Sequence, residues 1–127
     1  MSIGRFAAVI NCMDGRAQLP VIEWMKREYG VDYVDTITEP GPVRILAGTG
    51  DTPALLSIRH RLSVSVTKHG SSRVAIVAHT DCAGNPVDMA TQLSQLRSAA
   101  ATVLSWGTGV QIDLLWLGDD WQVERVG

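Results

Sequence analysis

The stretch Phe6-Ala7-Ala8-Val9-Ile10-Asn11-Cys12-Met13-Asp14-Gly15-Arg16 decides how this chain folds. Phe6 to Ile10 is an unbroken apolar run, as expected of a strand covered on both faces, and such strands belong to parallel sheets flanked by helices. The run ends in Asn11 and Cys12, and the polar loop Cys12-Met13-Asp14-Gly15-Arg16 opens at once. The arrangement recurs further along: Arg73 to Ala78 (RVAIVA) is a second apolar strand, running into His79-Thr80-Asp81-Cys82-Ala83-Gly84. In open parallel sheets the active groups gather beyond the carboxyl ends of strands, at a switch in strand order. Neighbouring placement of these two strands would bring Cys12, His79 and Cys82 together.

The segments between them supply the rest of the fold. Leu19, Ile22, Met25 and Tyr29 recur at helical spacing, with Pro20 in the first turn and Gly30 as the stop. Val31 to Ile37 reads as a second strand, its flank a sheet edge or a partner surface. Pro40 to Asp51 holds two prolines and three glycines, so a turn-rich loop with a brief strand at Val43 to Leu46 is expected. Asp51 or Thr52 caps a helix marked by Leu55, Ile58, Leu62 and Val66 and ended by Gly70. Ser63 to Thr67 are poor helix formers, leaving a strand over part of that segment as the alternative. Asp88 caps a further helix through Met89, Leu93, Leu96, Ala100 and Val103, ended by Gly107 and Gly109. Val110 to Leu117 and Trp121 to Val126 form two strands around Gly118-Asp119-Asp120, a hairpin. The sum is an α/β fold: a three-layer sandwich whose mainly parallel central sheet of four to five strands carries helices on both faces.

Composition narrows the field. At 127 residues and 13.7 kDa, with 46% apolar residues, the chain reads as one domain over 1–127. The folded surface expected for this mass is about 6,600 Å², with roughly two-thirds of the unfolded surface buried, so neither disulfide nor structural metal is needed to fold. Eleven basic against thirteen acidic residues give a net charge of −2, with no basic run of three, which argues against nucleic acid. The longest apolar segment that could be considered for a membrane, Ile112 to Leu117, is interrupted by Asp113 and is only strand length, so no membrane span is expected. The opening MSIGRFAAVIN has only a short apolar run before Cys12, which predicts a cytoplasmic protein.

The chemistry lies at the two strand ends. Two sulfurs and one imidazole form a borderline-soft donor set suited to Zn²⁺, and Cys₂His with one open position is a known catalytic arrangement. A structural site would carry four protein ligands, and the two other histidines, His60 and His69, fall within or at the end of a helix. The open position therefore goes to water or to Asp14. Asp14 either binds the metal as fourth ligand or pairs with Arg16 and accepts a proton from metal-bound water. The bland alternatives differ by residue. Two cysteines alone behave as buried small hydrophobes, and Cys12 with Cys82 could also form a disulfide. Asp81 reads as a turn-former, and Gly84 as a source of backbone freedom. Gly48-x-Gly50 lacks the strand, GxGxxG and helix of a phosphate cradle. Trp24, Trp106, Trp116 and Trp121 follow no regular spacing and suit core or interface duty.

Together these residues resemble the β-class carbonic anhydrases, whose signatures are a Cys-x-Asp-x-Arg loop after the first core strand and a His-x-x-Cys loop after a later one. The resemblance spans nearly the whole chain. It implies that Cys12, His79 and Cys82 bind zinc and that Asp14 and Arg16 form the dyad controlling the zinc-bound water. It further implies a small-molecule substrate, reversible hydration of carbon dioxide to bicarbonate, and a homodimer or larger homo-oligomer, with which exposed tryptophans are compatible. A related hydrolase of COS or CS₂ could use the same centre, and a non-catalytic zinc-binding or interaction protein could retain it. Three departures stand out: Gly15 where Ser or Ala is usual, Ala83 where Gly is usual, and a PGPVRILAG segment without the usual Arg-Asn pair and aromatic residue.

Overall fold

A computed structural model describes residues 4–48 and 51–127; the opening Met1 to Ile3 and the Gly50 of the Gly48-x-Gly50 pair lie outside the described residues. Its strands are β1 (Phe6–Cys12), β2 (Tyr33–Glu39), β3 (Arg73–His79), β4 (Gln111–Leu117) and β5 (Val123–Val126). Its helices are α1 (Gln18–Tyr29), α2 (Pro42–Leu46), α3 (Thr52–His69) and α4 (Met89–Ser105), with a single 3-10 turn at Gly15–Ala17. The strands order as β2-β1-β3-β4-β5, parallel except for β5, which returns antiparallel on β4.

Alternation along each central strand feeds two cores. Ala8 and Ile10, Val74 and Ile76, and Leu114 and Trp116 face Val43, Leu46, Ile58, Leu62, Leu96 and Val103, so α2, α3 and α4 cover one side. Ala7 and Val9, Ala75 and Val77, and Leu115 and Leu117 face Val21, Trp24, Met25 and Tyr29 of α1 on the other. The three-layer sandwich expected from the sequence is the one observed. The helix ends follow their chemistry: Asp51 and Asp88 accept from the backbone N–H of Ala54 and Thr91, and Gly30 and Gly70 close α1 and α3 in the left-handed region.

Three local expectations change. The brief strand at Val43 to Leu46 is instead the helix α2, because Pro42 fixes the first helical position after Gly41 turns the chain at φ 63°. Four residues, three of them apolar, cannot separate the two periodicities, and α2 buries Val43, Ile45 and Leu46. The alternative strand within Ser63 to Thr67 is helix throughout. There Ser65 gives its hydroxyl to Asp35 at 2.7 Å, and Thr67 bonds back to the Ser63 carbonyl at 2.8 Å. Of the tryptophans expected to be exposed, Trp24 and Trp116 are buried and Trp106 and Trp121 are half-buried.

The order β2-β1-β3 means that the chain runs from β1 outward to β2 and then crosses back over β1 to β3, so the switch point falls between β1 and β3. Ile10 lies opposite Ile76 across that pair, and Cys12 and His79 are the last residues of the two strands.

Candidate metal centre

Cys12, His79 and Cys82 are all buried, and one ligand atom from each lies within 4.8 Å of the others. The sulfurs of Cys12 and Cys82 are 3.8 Å apart, and both cysteines are free. That separation matches the edge of a tetrahedron whose metal–sulfur bonds are about 2.3 Å, an edge of about 3.8 Å. Burial also leaves His79 with an unmet need. Nδ1 lies 2.6 Å from the Thr80 carbonyl, which can only accept, so Nδ1 carries the proton and Nε2 the lone pair. Nε2 is buried without a hydrogen-bond partner, an arrangement that a metal ligand resolves. The donor set, the sulfur spacing and the bare imidazole nitrogen all fit zinc.

The electrostatics of the triad favour the thiolate of Cys12 and leave the protons on its two neighbours for an arriving cation to displace. The hydrogen bond from Cys82 holds the Cys12 thiol well below its ordinary range against the cost of burial, helped by His79 and by the backbone N–H groups of Gly41 and Asp14. Cys82 is pushed up by the same partnership, since two adjacent thiolates repel and burial adds to the penalty. Burial disfavours the imidazolium of His79, but the Cys12 sulfur and the Thr80 carbonyl outweigh it and make the ring more basic than usual. A cation between the sulfurs would remove their repulsion.

Asp14 is absent from this ligand cluster among the described residues. Its carboxylate is held in the fork of Arg16, with Nε 3.0 Å from one oxygen and Nη2 2.6 Å from the other. The Arg16 hydrogen bond holds the Asp14 carboxyl down at about 2, so it stays ionised. The carboxylate is thus placed against Arg16. Arg16 in turn reaches Asp81, whose side chain is 3.3 Å and carbonyl 3.2 Å away, and its guanidinium lies over the Trp121 ring at 4.5 Å.

Several supports were not legible in the sequence. Asn11 donates to the Ala17 carbonyl at 3.0 Å and accepts from the Cys12 N–H at 2.8 Å, while Gln18 donates to the carbonyls of Cys12 and Asp14. Gln92, buried on α4, donates to the His79 carbonyl at 2.8 Å. Gly84 corrects its sequence reading. It is absent from the positive-φ positions, and its role is close approach: a Cβ there would sit 2.5 Å from the Pro40 carbonyl carbon. Asp81, at φ 52°, is the turn-former expected, and it also pairs with Arg16. His69 stays outside the centre, stacked on Phe6 and 2.6 Å from Asp35.

The family model described as "Putative carbonic anhydrase" matches residues 2–127. Among solved structures, the β-carbonic anhydrase isoform I of Trichomonas vaginalis aligns with a TM-score of 0.58 at 18% identity, over 94% of this chain and 80% of that one. The β-carbonic anhydrase CafA of Aspergillus fumigatus aligns with a TM-score of 0.54 at 14% identity, over 98% of this chain and 76% of that one. No curated protein matches. With a match over almost its full length, the chain belongs to the family described as putative carbonic anhydrase, and its sheet shares the fold of the β-carbonic anhydrases.

Proposed function

We propose that the protein hydrates carbon dioxide reversibly to bicarbonate at a zinc ion held by Cys12, His79 and Cys82. The observation that carries this reading is the buried, partnerless Nε2 of His79 beside two sulfurs at tetrahedral spacing, with an ionised Asp14 clamped nearby. Zinc, when bound, supplies the Lewis acidity that makes water nucleophilic at neutral pH.

The chain's own residues divide the remaining work. Thr80 fixes the His79 ring through Nδ1, so the ligand nitrogen is aimed before any ion arrives. Asp14 accepts a hydrogen bond from the attacking water and orients its lone pair toward the carbon of CO₂. Arg16 keeps the carboxylate ionised and aimed, and its positive charge favours the bicarbonate anion that forms. The overall balance is CO₂ and water going to bicarbonate and one proton, which leaves to solvent or buffer. We assign Asp14 and Arg16 as the catalytic pair.

A homodimer or larger assembly belongs to this proposal, since β2 ends the sheet and carries Tyr33 at 52% exposure. So does a cytoplasmic setting; no described helix is long and apolar enough to cross a membrane. Stopped-flow CO₂ hydration, with zinc content measured on the same samples, tests the activity. Zinc-loaded wild type should turn over while Asp14→Ala retains metal and loses rate. Equal rates in wild type, Asp14→Ala and zinc-stripped protein would overturn the assignment and leave a non-catalytic zinc-binding protein.

A further inference from the structure

Trp121 joins two parts of the centre that come from different strand ends. Its ring lies 4.5 Å from the Arg16 guanidinium carbon and 5.6 Å from the His79 ring. One indole thus meets both the group that grips Asp14 and the imidazole of the ligand set. Its backbone sits at φ 57°, in the left-handed region that a bulky residue seldom adopts. Such a conformation persists only where the surroundings over-determine it, and it clusters at functional sites.

Those surroundings are visible. The Trp121 N–H closes the hairpin turn onto the Gly118 carbonyl at 3.0 Å. Asp119 accepts from the Thr80 hydroxyl at 2.8 Å, and the Thr80 N–H donates to the Leu117 carbonyl at 2.9 Å. The β4–β5 turn is therefore fastened to the residue directly after His79. Glycine would suit the turn's backbone better; what it would lack is the ring.

We propose that Trp121 is a positioning residue, whose indole holds the Arg16 guanidinium against Asp14 and sets that pair relative to His79. Asp14 and Asp81 hold the edges of the guanidinium, and a planar group whose side chain is 48% exposed is held more firmly when a face contact is added. The indole supplies that face. The inference rests on the CO₂-hydrating reading of the centre, and it deepens it.

Zinc-loaded wild type, Trp121→Gly and Trp121→Phe provide the test. Glycine removes the ring in a backbone conformation it favours, so a loss there is not a strained turn; phenylalanine restores an aromatic face. Three quantities are measured: solvent exchange of the Arg16 Nε–H by ¹⁵N NMR, zinc affinity by chelator competition, and kcat and KM for CO₂. In Trp121→Gly the Arg16 exchange should accelerate at least about tenfold and kcat fall about tenfold to a hundredfold, with KM and zinc affinity within about twofold. Trp121→Phe should recover most of both losses. Unchanged Arg16 exchange in Trp121→Gly would overturn the proposal. So would a parallel loss of zinc in both variants, which would reduce Trp121 to packing. If wild type fails to hydrate CO₂, the activity reading falls while Arg16 exchange still decides the positioning role.

Discussion

The Asp14 carboxylate accepts from Arg16 at three points: the backbone N–H at 2.9 Å, Nε at 3.0 Å and Nη2 at 2.6 Å. With zinc held at Cys12 as proposed, a carboxylate two residues along would otherwise be free to turn toward it. Arg16→Ala should therefore do more than remove a charge. We expect kcat for CO₂ to fall about tenfold to a hundredfold, and X-ray absorption at the zinc edge should gain an oxygen scatterer from Asp14. Arg16→Lys should recover little, because an ammonium cannot reproduce the planar fork. Wild-type turnover in Arg16→Ala would remove Arg16 from the mechanism.

The ligand assignment has a separate readout. Cys12→Ala or Cys82→Ala leaves one sulfur and one imidazole, too few donors for a tight site, and zinc affinity should fall by more than about a hundredfold. Retention of stoichiometric zinc by the double variant would defeat the shared-metal geometry. Circular dichroism of the same proteins should remain α/β, because the two cores are filled by other side chains.

The two central strands were legible because each apolar run is rich in Val, Ile and Ala and breaks at once into a polar loop, and those loops carried the donor set in plain view. Residues whose roles depend on distant partners were not. Gly84 looks like any loop glycine until Pro40 is seen against it, and Gln92 looks like a helix surface residue until its amide meets the His79 carbonyl. Trp121 is hidden for the same reason: nothing near it in the chain records that β4 and β5 fold back over Arg16. The short helix α2 was lost to length, since three apolar residues around Arg44 fit a strand and a helical turn equally.

A second polar network, remote from the centre, gives a pH prediction. Tyr29 is buried on α1 and donates to Asp113 at 2.5 Å, while Arg73 and Arg125 lie 3.9 and 3.4 Å from the same carboxylate. Burial, then the Asp113 bond, push the phenol above its ordinary value of 10. The folded state therefore holds this proton more tightly than the unfolded chain. Its contribution to stability is complete below pH 10 and is lost as pH rises from there toward the folded value. Tyr29→Phe should lose about 1.5–3 kcal/mol at neutral pH, the range for a hydrogen bond to a charged group. The gap from wild type in denaturant melts should narrow above pH 10. A gap that stays constant to pH 11.5 would mean that the phenol ionises alike in both states.

Two glycines distinguish close approach from simple loop flexibility. A Cβ at Gly84 would lie 2.5 Å from the Pro40 carbonyl carbon and 2.8 Å from the Gly41 nitrogen, whereas a Cβ at Gly15 meets nothing within 4 Å. The atoms in the way at Gly84 are backbone, which cannot rotate aside as a side chain would. Gly84→Ala must therefore push the Pro40–Gly41 segment away from the Cys82 loop. We expect about 1–3 kcal/mol of lost stability. A drop in zinc affinity should accompany it, because the Gly41 N–H supports the Cys12 thiolate and the Gly84 N–H that of Cys82. Gly15→Ala should leave both quantities near wild type, even though Gly15 stands inside the Cys12–Arg16 loop. Thermal melts with and without zinc separate the cases, and an unperturbed Gly84→Ala would show that the two loops do not depend on one another for their places around the metal.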